Sequence, residues 1–388
     1  MPKMEVIMTS RERYRAAIEH KEPDRVPIDA GQDLHNGIHE IAYRNLLKEL
    51  GETDEIAIYD FMQHLAVVKE SVLNRLHVDT RYIFAGGPSD FQIRFEEDRS
   101  WLDEWGIRRK PCGYYDEAVE HPLAGCTLED VKRYPWPNPS DAGRFAGLRE
   151  KAQKLHKQTD FALIGGSPAT LFYLTSELVG FQEYMEKILT DPRVIELMVE
   201  KMLEFWIVFF DHYLEAIGDY IEVVWMGDDW GTQVGPIMDP ALFRSMFVNR
   251  YKVLTASIKK KKKHLKIALH SCGAVHWAME DLIDAGIDIL HPIQGDAREL
   301  EDPARLKKEF GGRLAFYSNI RNQSVLPHGT PEEVAAEVKL KIRHLAPGGG
   351  YILSGGHNIQ ADVPPKNILA LYDTGFKFGG YPITLGNS

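Results

Sequence analysis

Cysteine is scarce in this 388-residue chain: Cys112, Cys126 and Cys272 are the three, and no CxxC occurs among them. A set so sparse and odd in number argues against a disulfide framework and for a reducing compartment. No apolar run approaches the roughly 18 residues that a membrane span needs. The opening stretch, MPKMEVIMTSRERYRAAIEH, has no apolar core ahead of a cleavage site, which argues against a secretory signal. Positive charge is in deficit, with a net charge of −11. That disfavours nucleic-acid binding, which rests on basic surface set against phosphates. Internal repeats and low-complexity tracts are missing too. The expectation is a cytoplasmic protein with neither a membrane nor a nucleic-acid partner. One basic run, Lys259 to Lys263, closes a segment with Phe243, Phe247, Tyr251, Leu254 and Ile258 at helical spacing. Lysines there complement the helix dipole and read as a solvated face.

Eight short apolar runs are present, each followed by Gly, Asn or Asp and then a helical pattern. They are RVPID (25–29), VDTRYIF (78–84), FALIGG (161–166), YIEVVWMGDD (220–229), LKIALHSCG (265–273), IDILHPI (287–293), LAFYSNI (314–320) and GYILSGG (350–356). The last four recur every 20 to 35 residues or so, the rhythm of βαβ units in a parallel sheet. Thr330, Pro331 and Glu333 form a helix start with a capping box, followed by Val334, Val338 and Ile342 on one face. Eight such units predict a (β/α)8 TIM barrel, with its reactive face at the C-terminal ends of the strands. An open doubly wound sheet is the alternative. It calls for a Gly-rich turn after an early strand, and the first strand leads instead into Asp29-Ala-Gly-Gln-Asp-Leu-His. Residues 88–138 break the rhythm. FQIRFEED and WGIRRKP read as hairpin strands and YPWPNPSD as a Pro-rich connection. The expected architecture is one barrel domain over residues 1–388, with an N-terminal helical extension and a hairpin-containing insertion over the barrel mouth.

Chemistry-bearing residues fall at the strand ends. The fifth strand ends in His270-Ser271-Cys272-Gly273. Residues two apart on a strand face one way, so imidazole and thiol converge, and both are good zinc ligands. On the pair alone, a core histidine with a buried cysteine is the commoner outcome. Cys112 and Cys126 lie in the insertion and read as structural. The eighth strand ends in Ser354-Gly355-Gly356-His357, where two glycines let the backbone pass close to a neighbour and His357 reaches the same face. The fourth ends in Trp225-Met226-Gly227-Asp228-Asp229-Trp230. Asp228 and Asp229 read as a metal ligand or general base, or as a helix N-cap. Trp225 and Trp230 read as pocket walls or core, and Gln294, Tyr317 and Asn319 as further substrate contacts.

Taken together these segments resemble the uroporphyrinogen decarboxylase superfamily over nearly the whole chain. The resemblance is carried by SRERYRAAIEHKEPDRVPID, by HSCG followed by MEDLIDAGIDILHPIQ, by SNI, and by GGYILSGGHNIQADVPPKNILALYD. Its porphyrinogen decarboxylases are metal-free and receive substrate carboxylates on an Arg-rich RQAGRY-like segment. Here AGQDLHNGIHE stands after the first strand without arginine, and Ala85-Gly86 stands where the decarboxylase aspartate falls. Polycarboxylates without guanidiniums to receive them are poorly accommodated. The other branch holds zinc-dependent methyltransferases that work with corrinoid proteins through an HxC pair and a distant cysteine. His270 and Cys272 match the pair, and the distant cysteine is missing. Either His357 takes its place, with Asp228 as a candidate fourth ligand, or the metal is lost or weakened; histidine is itself zinc-competent, which favours the first. The resemblance then implies bound Zn²⁺, a corrinoid supplied by a partner protein, and a small methylated substrate of ether or amine type, or a thiol. Two other functions remain: a decarboxylase-like carboxy-lyase, and a non-catalytic tetrapyrrole- or corrinoid-binding barrel.

Overall fold

The computed structural model describes residues 7–383. Seven parallel strands follow one another in sequence order across one sheet: Thr80–Phe84, Ala162–Gly166, Val223–Gly227, Lys266–His270, Ile289–His291, Ala315–Tyr317 and Tyr351–Ile352. The segment 25–29 closes the circle. Ile28 forms a parallel bridge to Leu353. On its other side the Asp79 N–H donates to the Ile28 carbonyl at 2.8 Å. The first position of the barrel is thus reduced to bridges. Pro27 lies at its centre and offers no N–H for a ladder, only a carbonyl that accepts from Leu353 N at 2.9 Å. All eight apolar runs fall at barrel positions.

The period of two sorts the strand residues into two cores. Ala162, Ile164, Val223, Trp225, Ala268, Ile289, Ala315, Tyr317 and Ile352 fill the barrel interior. Leu163, Val224, Met226, Ile267, Leu269, Leu290 and Phe316 face the surrounding helices. Small residues at 162, 268 and 315 leave room inside the barrel. The helix Ser10–Ile18 supplies Tyr14 and Ile18 to that interior core, and the Tyr14 hydroxyl meets the Tyr317 hydroxyl at 2.6 Å. The expected N-terminal extension therefore plugs the end opposite the reactive face.

That plug is held by charge. Arg13 is buried and reaches Asp24 and Asp79, each at 2.7 Å. Asp79 also accepts from Arg25 at 2.7 and 2.8 Å, from the Ser10 hydroxyl at 2.7 Å and from Ile28 N at 2.9 Å. The helix Pro331–Leu345 begins with the expected capping box at Thr330 and Glu333 and buries Val334, Val338 and Ile342.

The insertion carries a three-stranded antiparallel sheet, Trp101–Leu102, Arg108–Cys112 and Tyr115–Glu120. FQIRFEED, expected as a strand, is not one. Phe95 packs edge-on against Phe61 and Trp101 instead of pairing. The sheet is tied over the barrel mouth through Arg109 to Glu177 at 2.7 Å and through the Tyr115 hydroxyl to Gln360. The lysine run lies on the surface, with Lys259, Lys261 and Lys262 paired to Asp288, Asp211 and Asp219. Among the described residues no helix is long and apolar enough to cross a membrane.

Removing the Asp79 carboxylate strands the Arg25 guanidinium and leaves the buried Arg13 with Asp24 alone. Asp79→Ala is expected to lower unfolding stability by about 3–5 kcal/mol. Urea titration followed by circular dichroism checks this. A loss below about 1 kcal/mol, the scale of an exposed ion pair, contradicts the clamp.

Candidate metal centre

His270 is the last residue of its strand, and the chain turns sharply past it. Ser271 N donates to the His291 carbonyl at 2.6 Å, which extends the pairing by one residue. Cys272 N then donates to Asp229 Oδ1 at 2.8 Å, and Gly273 N to Gln294 Oε1 at 2.8 Å. Gly273 has φ +79°, and a Cβ there would run into the Gly231 carbonyl, so the turn demands glycine. The result brings His270 Nε2 to 3.2 Å from Cys272 Sγ.

His357 arrives from the eighth strand. Gly356 has φ +84°, and a Cβ on it would sit 2.6 Å from the Ile320 carbonyl. The loop beyond is laced to the loop after the first strand. Asn358 Nδ2 donates to the Leu34 carbonyl at 2.9 Å, and Ile359 N to the Gly37 carbonyl at 2.9 Å. His35 and His357 are thereby delivered to the same rim. The His357 ring stands edge-on to His270 with centroids 5.2 Å apart. The ligand atoms of His270, Cys272 and His357 lie within 4.8 Å of one another. Tetrahedral zinc with bonds of about 2.0–2.3 Å sets its ligands about 3.5 Å apart. His270 Nε2 and Cys272 Sγ are already about that close, at 3.2 Å, no pair of the three exceeds it by much more than one ångström, the donors are of zinc-binding type, and the set fits the ion.

Electrostatics support that fit. Burial, and then the neighbouring His35 and His291, hold the His270 imidazole well below its ordinary pKa. Burial, then His35, brings His357 down to about 4. Both rings are neutral at pH 7, the form that ligates. Burial, and then the Asp229 charge, push the Cys272 thiol well above its usual range. Ligation would release that proton. Behind the first ring, His270 Nδ1 lies 2.9 Å from His291 Nδ1. A proton on His270 Nδ1 donated there leaves Nε2 free towards Cys272. His35 stacks on the His270 ring, centroids 4.4 Å apart, and on Trp225 at 5.2 Å. Its own Nδ1 is 2.8 Å from Asp33 Oδ2.

The two adjacent aspartates part company. Asp228, expected as a fourth ligand or general base, spends both oxygens on the loop before the helix Tyr173–Val179. Oδ1 accepts from Phe172 N at 2.9 Å and Tyr173 N at 2.7 Å; Oδ2 accepts from Leu171 N at 2.7 Å and from the Tyr251 hydroxyl. Burial nevertheless pushes its carboxyl up to about 7. Asp229 is the nearer one, with Oδ1 3.7 Å from His270 Nε2.

The barrel mouth holds a cavity of about 490 Å³ whose lining includes His35, Asp229, His270 and His357. The five expected substrate contacts do not line it. Trp225 is fully buried in the barrel interior beneath His35 and His291. Trp230 packs among Phe172, Phe243 and Phe247. Gln294 braces the Gly273 turn. Tyr317 donates to Asp29 at 2.9 Å, and Asn319 Nδ2 donates to the Ile293 and Leu300 carbonyls. Sequence reasoning did not single out His35, Asp33 or His291. The signal was their position: each follows a barrel strand or ends one.

The profile of the family described as "Uroporphyrinogen decarboxylase (URO-D)" matches residues 117–377. The chain belongs to the uroporphyrinogen decarboxylase family. It is 25% identical over 295 residues to uroporphyrinogen decarboxylase of Proteus mirabilis, covering 74% of this chain and 77% of that one. Against the Edwardsiella ictaluri enzyme it is 24% identical over 296 residues, covering 74% and 78%. Among solved structures, a methyltransferase from Methanosarcina mazei superposes with a TM-score of 0.66 at 18% identity, over 96% of this chain and 99% of that one. The latter likeness establishes a shared fold.

With one thiol to ionise and two imidazoles already neutral, zinc binding should release about one proton per ion. Its affinity is then expected to rise about tenfold per pH unit between roughly pH 5.5 and 7.5, since falling pH re-forms the thiol. His291→Phe is expected to weaken it about 10–100-fold. Competition against a chromophoric chelator measures both, and a flat pH profile contradicts the assignment of Cys272.

Proposed function

We propose that the chain is a single-domain, cytoplasmic, zinc-dependent methyltransferase. In this reading it moves a methyl group between a small methylated substrate, of ether or amine type, or a thiol, and a corrinoid carried by a partner protein. The observation that carries the reading is the convergence of His270, Cys272 and His357 at the C-terminal face of the barrel, where this fold keeps its chemistry.

The cavity's cations argue against a decarboxylase of polycarboxylates. Its two guanidiniums are already committed, Arg109 to Asp103 and Glu177, and Arg144 to Glu104. Neither is free to receive a substrate carboxylate.

His270, Cys272 and His357 would hold the ion. One thiolate with two imidazoles leaves it about one net positive charge, so it would supply Lewis acidity to the methyl donor's heteroatom or to a thiol. The protein's own residues do the positioning. Asp229 fixes the Cys272 backbone, His291 orients the His270 ring, and His35 clamps that ring against tilting. The insertion sheet lends Trp101 and Arg109 to the cavity wall, and Arg109 ties it to Glu177.

The test is methyl transfer to a reduced corrinoid protein from methyl ethers and methylamines, with and without zinc. The expected outcome is zinc-dependent methylation of the corrinoid, lost in His357→Ala. A protein that leaves the corrinoid unmethylated, yet demethylates methyl-corrinoid with a thiol, works on the acceptor side. Zinc-independent release of CO2 from a carboxylic substrate would overturn the reading altogether.

A further inference from the structure

The cavity beside the metal centre has walls of an unusual kind. Phe84, Phe91, Trp101, Trp105, Tyr173 and Trp206 supply aromatic surface. The charge among them is one-sided. Leaving aside Asp228, whose oxygens are occupied, five carboxylates line the space against two guanidiniums. Three of the five, Asp103, Glu177 and Glu104, are paired with those guanidiniums. Asp60 and Asp229 have no lysine or arginine partner among the described residues.

Asp60 is the informative one. It stands at the end of the strand Ile58–Asp60 and lines the cavity. Oδ1 accepts from Gln63 N at 2.7 Å. No hydrogen bond reaches its other oxygen from any described residue. Burial pushes its carboxyl above the ordinary range, and the Gln63 N–H and the more distant charge of Arg109, itself paired to Asp103 and Glu177, offset that only in part. An anionic ligand would raise that burial cost. A neutral one would leave it. A cation would relieve it and would also be held by the electron-rich faces of the aromatic rings.

We infer that the cavity takes a compact methylated cation, an ammonium or sulfonium bearing methyl groups, seated against the aromatic walls with Asp60 as its counter-charge. This narrows the substrate class of the methyltransferase reading and rests on it only for the methyl group's fate. The recognition stands on the cavity alone. Tyr173 lines the cavity, and its hydroxyl is engaged with Glu177 at 3.2 Å.

Isothermal titration calorimetry on the full chain tests it, with three probes. Choline carries the cation, 3,3-dimethylbutan-1-ol is its neutral carbon isostere, and 4-methoxybenzoate is an anionic methyl ether. Choline is expected to bind at least about tenfold more tightly than the isostere. Asp60→Asn should weaken choline about tenfold and leave the isostere unchanged, which also shows that the variant is folded. Tyr173→Phe should keep choline binding, and Tyr173→Leu should weaken it. The inference is overturned if the isostere or the methoxybenzoate binds as tightly as choline, or if choline shows no binding at about 10 mM, weaker than any specific site. None of these titrations requires zinc or a corrinoid. Their failure leaves the metal reading intact, and choline binding by a protein that takes up no zinc overturns the metal reading alone.

Discussion

Asp79 gathers two guanidiniums, a serine hydroxyl and a backbone N–H onto one buried carboxylate, and so joins three stretches of chain at the seam of the barrel. The seam needs such a device because Pro27 cannot donate to a ladder. With the segment 25–29 fixed there, the loop after it reaches across to the loop after the last strand. Gly37 and Leu34 bond to Ile359 and Asn358. That lacing sets His35 and His357 beside His270. The candidate metal centre thus depends on closure at a place well away from it in sequence.

The centre itself is a set of buried groups kept neutral. His270, His291 and His357 are all held below their ordinary pKa, and Cys272 above its own, each first by burial. A buried polar set of this kind is costly unless something completes it. His291 Nε2 and Asp33 Oδ1 have no hydrogen-bond partner among the described residues. A divalent ion on the three donors would turn the thiol into a thiolate and give the network a charge to organise around. The one-sided charge of the adjoining cavity favours a ligand of the opposite sign.

The barrel was legible because period-two strands and capped helices leave local marks. Ala268 and Leu269 face opposite cores, as alternation requires, and the Thr330 capping box is where it was expected. The pairing of His270 with Cys272 was legible for the same reason, since two residues on one strand face need no tertiary information. What strands 1, 4 and 7 contribute was not. Whether Asp228 or Asp229 turns to the centre depends on which of them the loop at residues 171–173 captures. Trp225 and Tyr317 point inward by parity, yet the depth at which the cavity begins is set by His35 stacking on Trp225. His35 and Asp33 lie in a loop without periodicity, and closure of the barrel alone brings them to the site.

The central claim is a metal held by two histidines and one cysteine, with His357 in the place of the distant cysteine that the sequence resemblance implies. X-ray absorption at the zinc K-edge of the zinc-loaded protein tests it most directly. The account predicts one sulfur at about 2.3 Å and two imidazole nitrogens at about 2.0–2.1 Å, with one imidazole lost in His357→Ala. A spectrum with no sulfur scatterer, or one unchanged by His357→Ala, would contradict it.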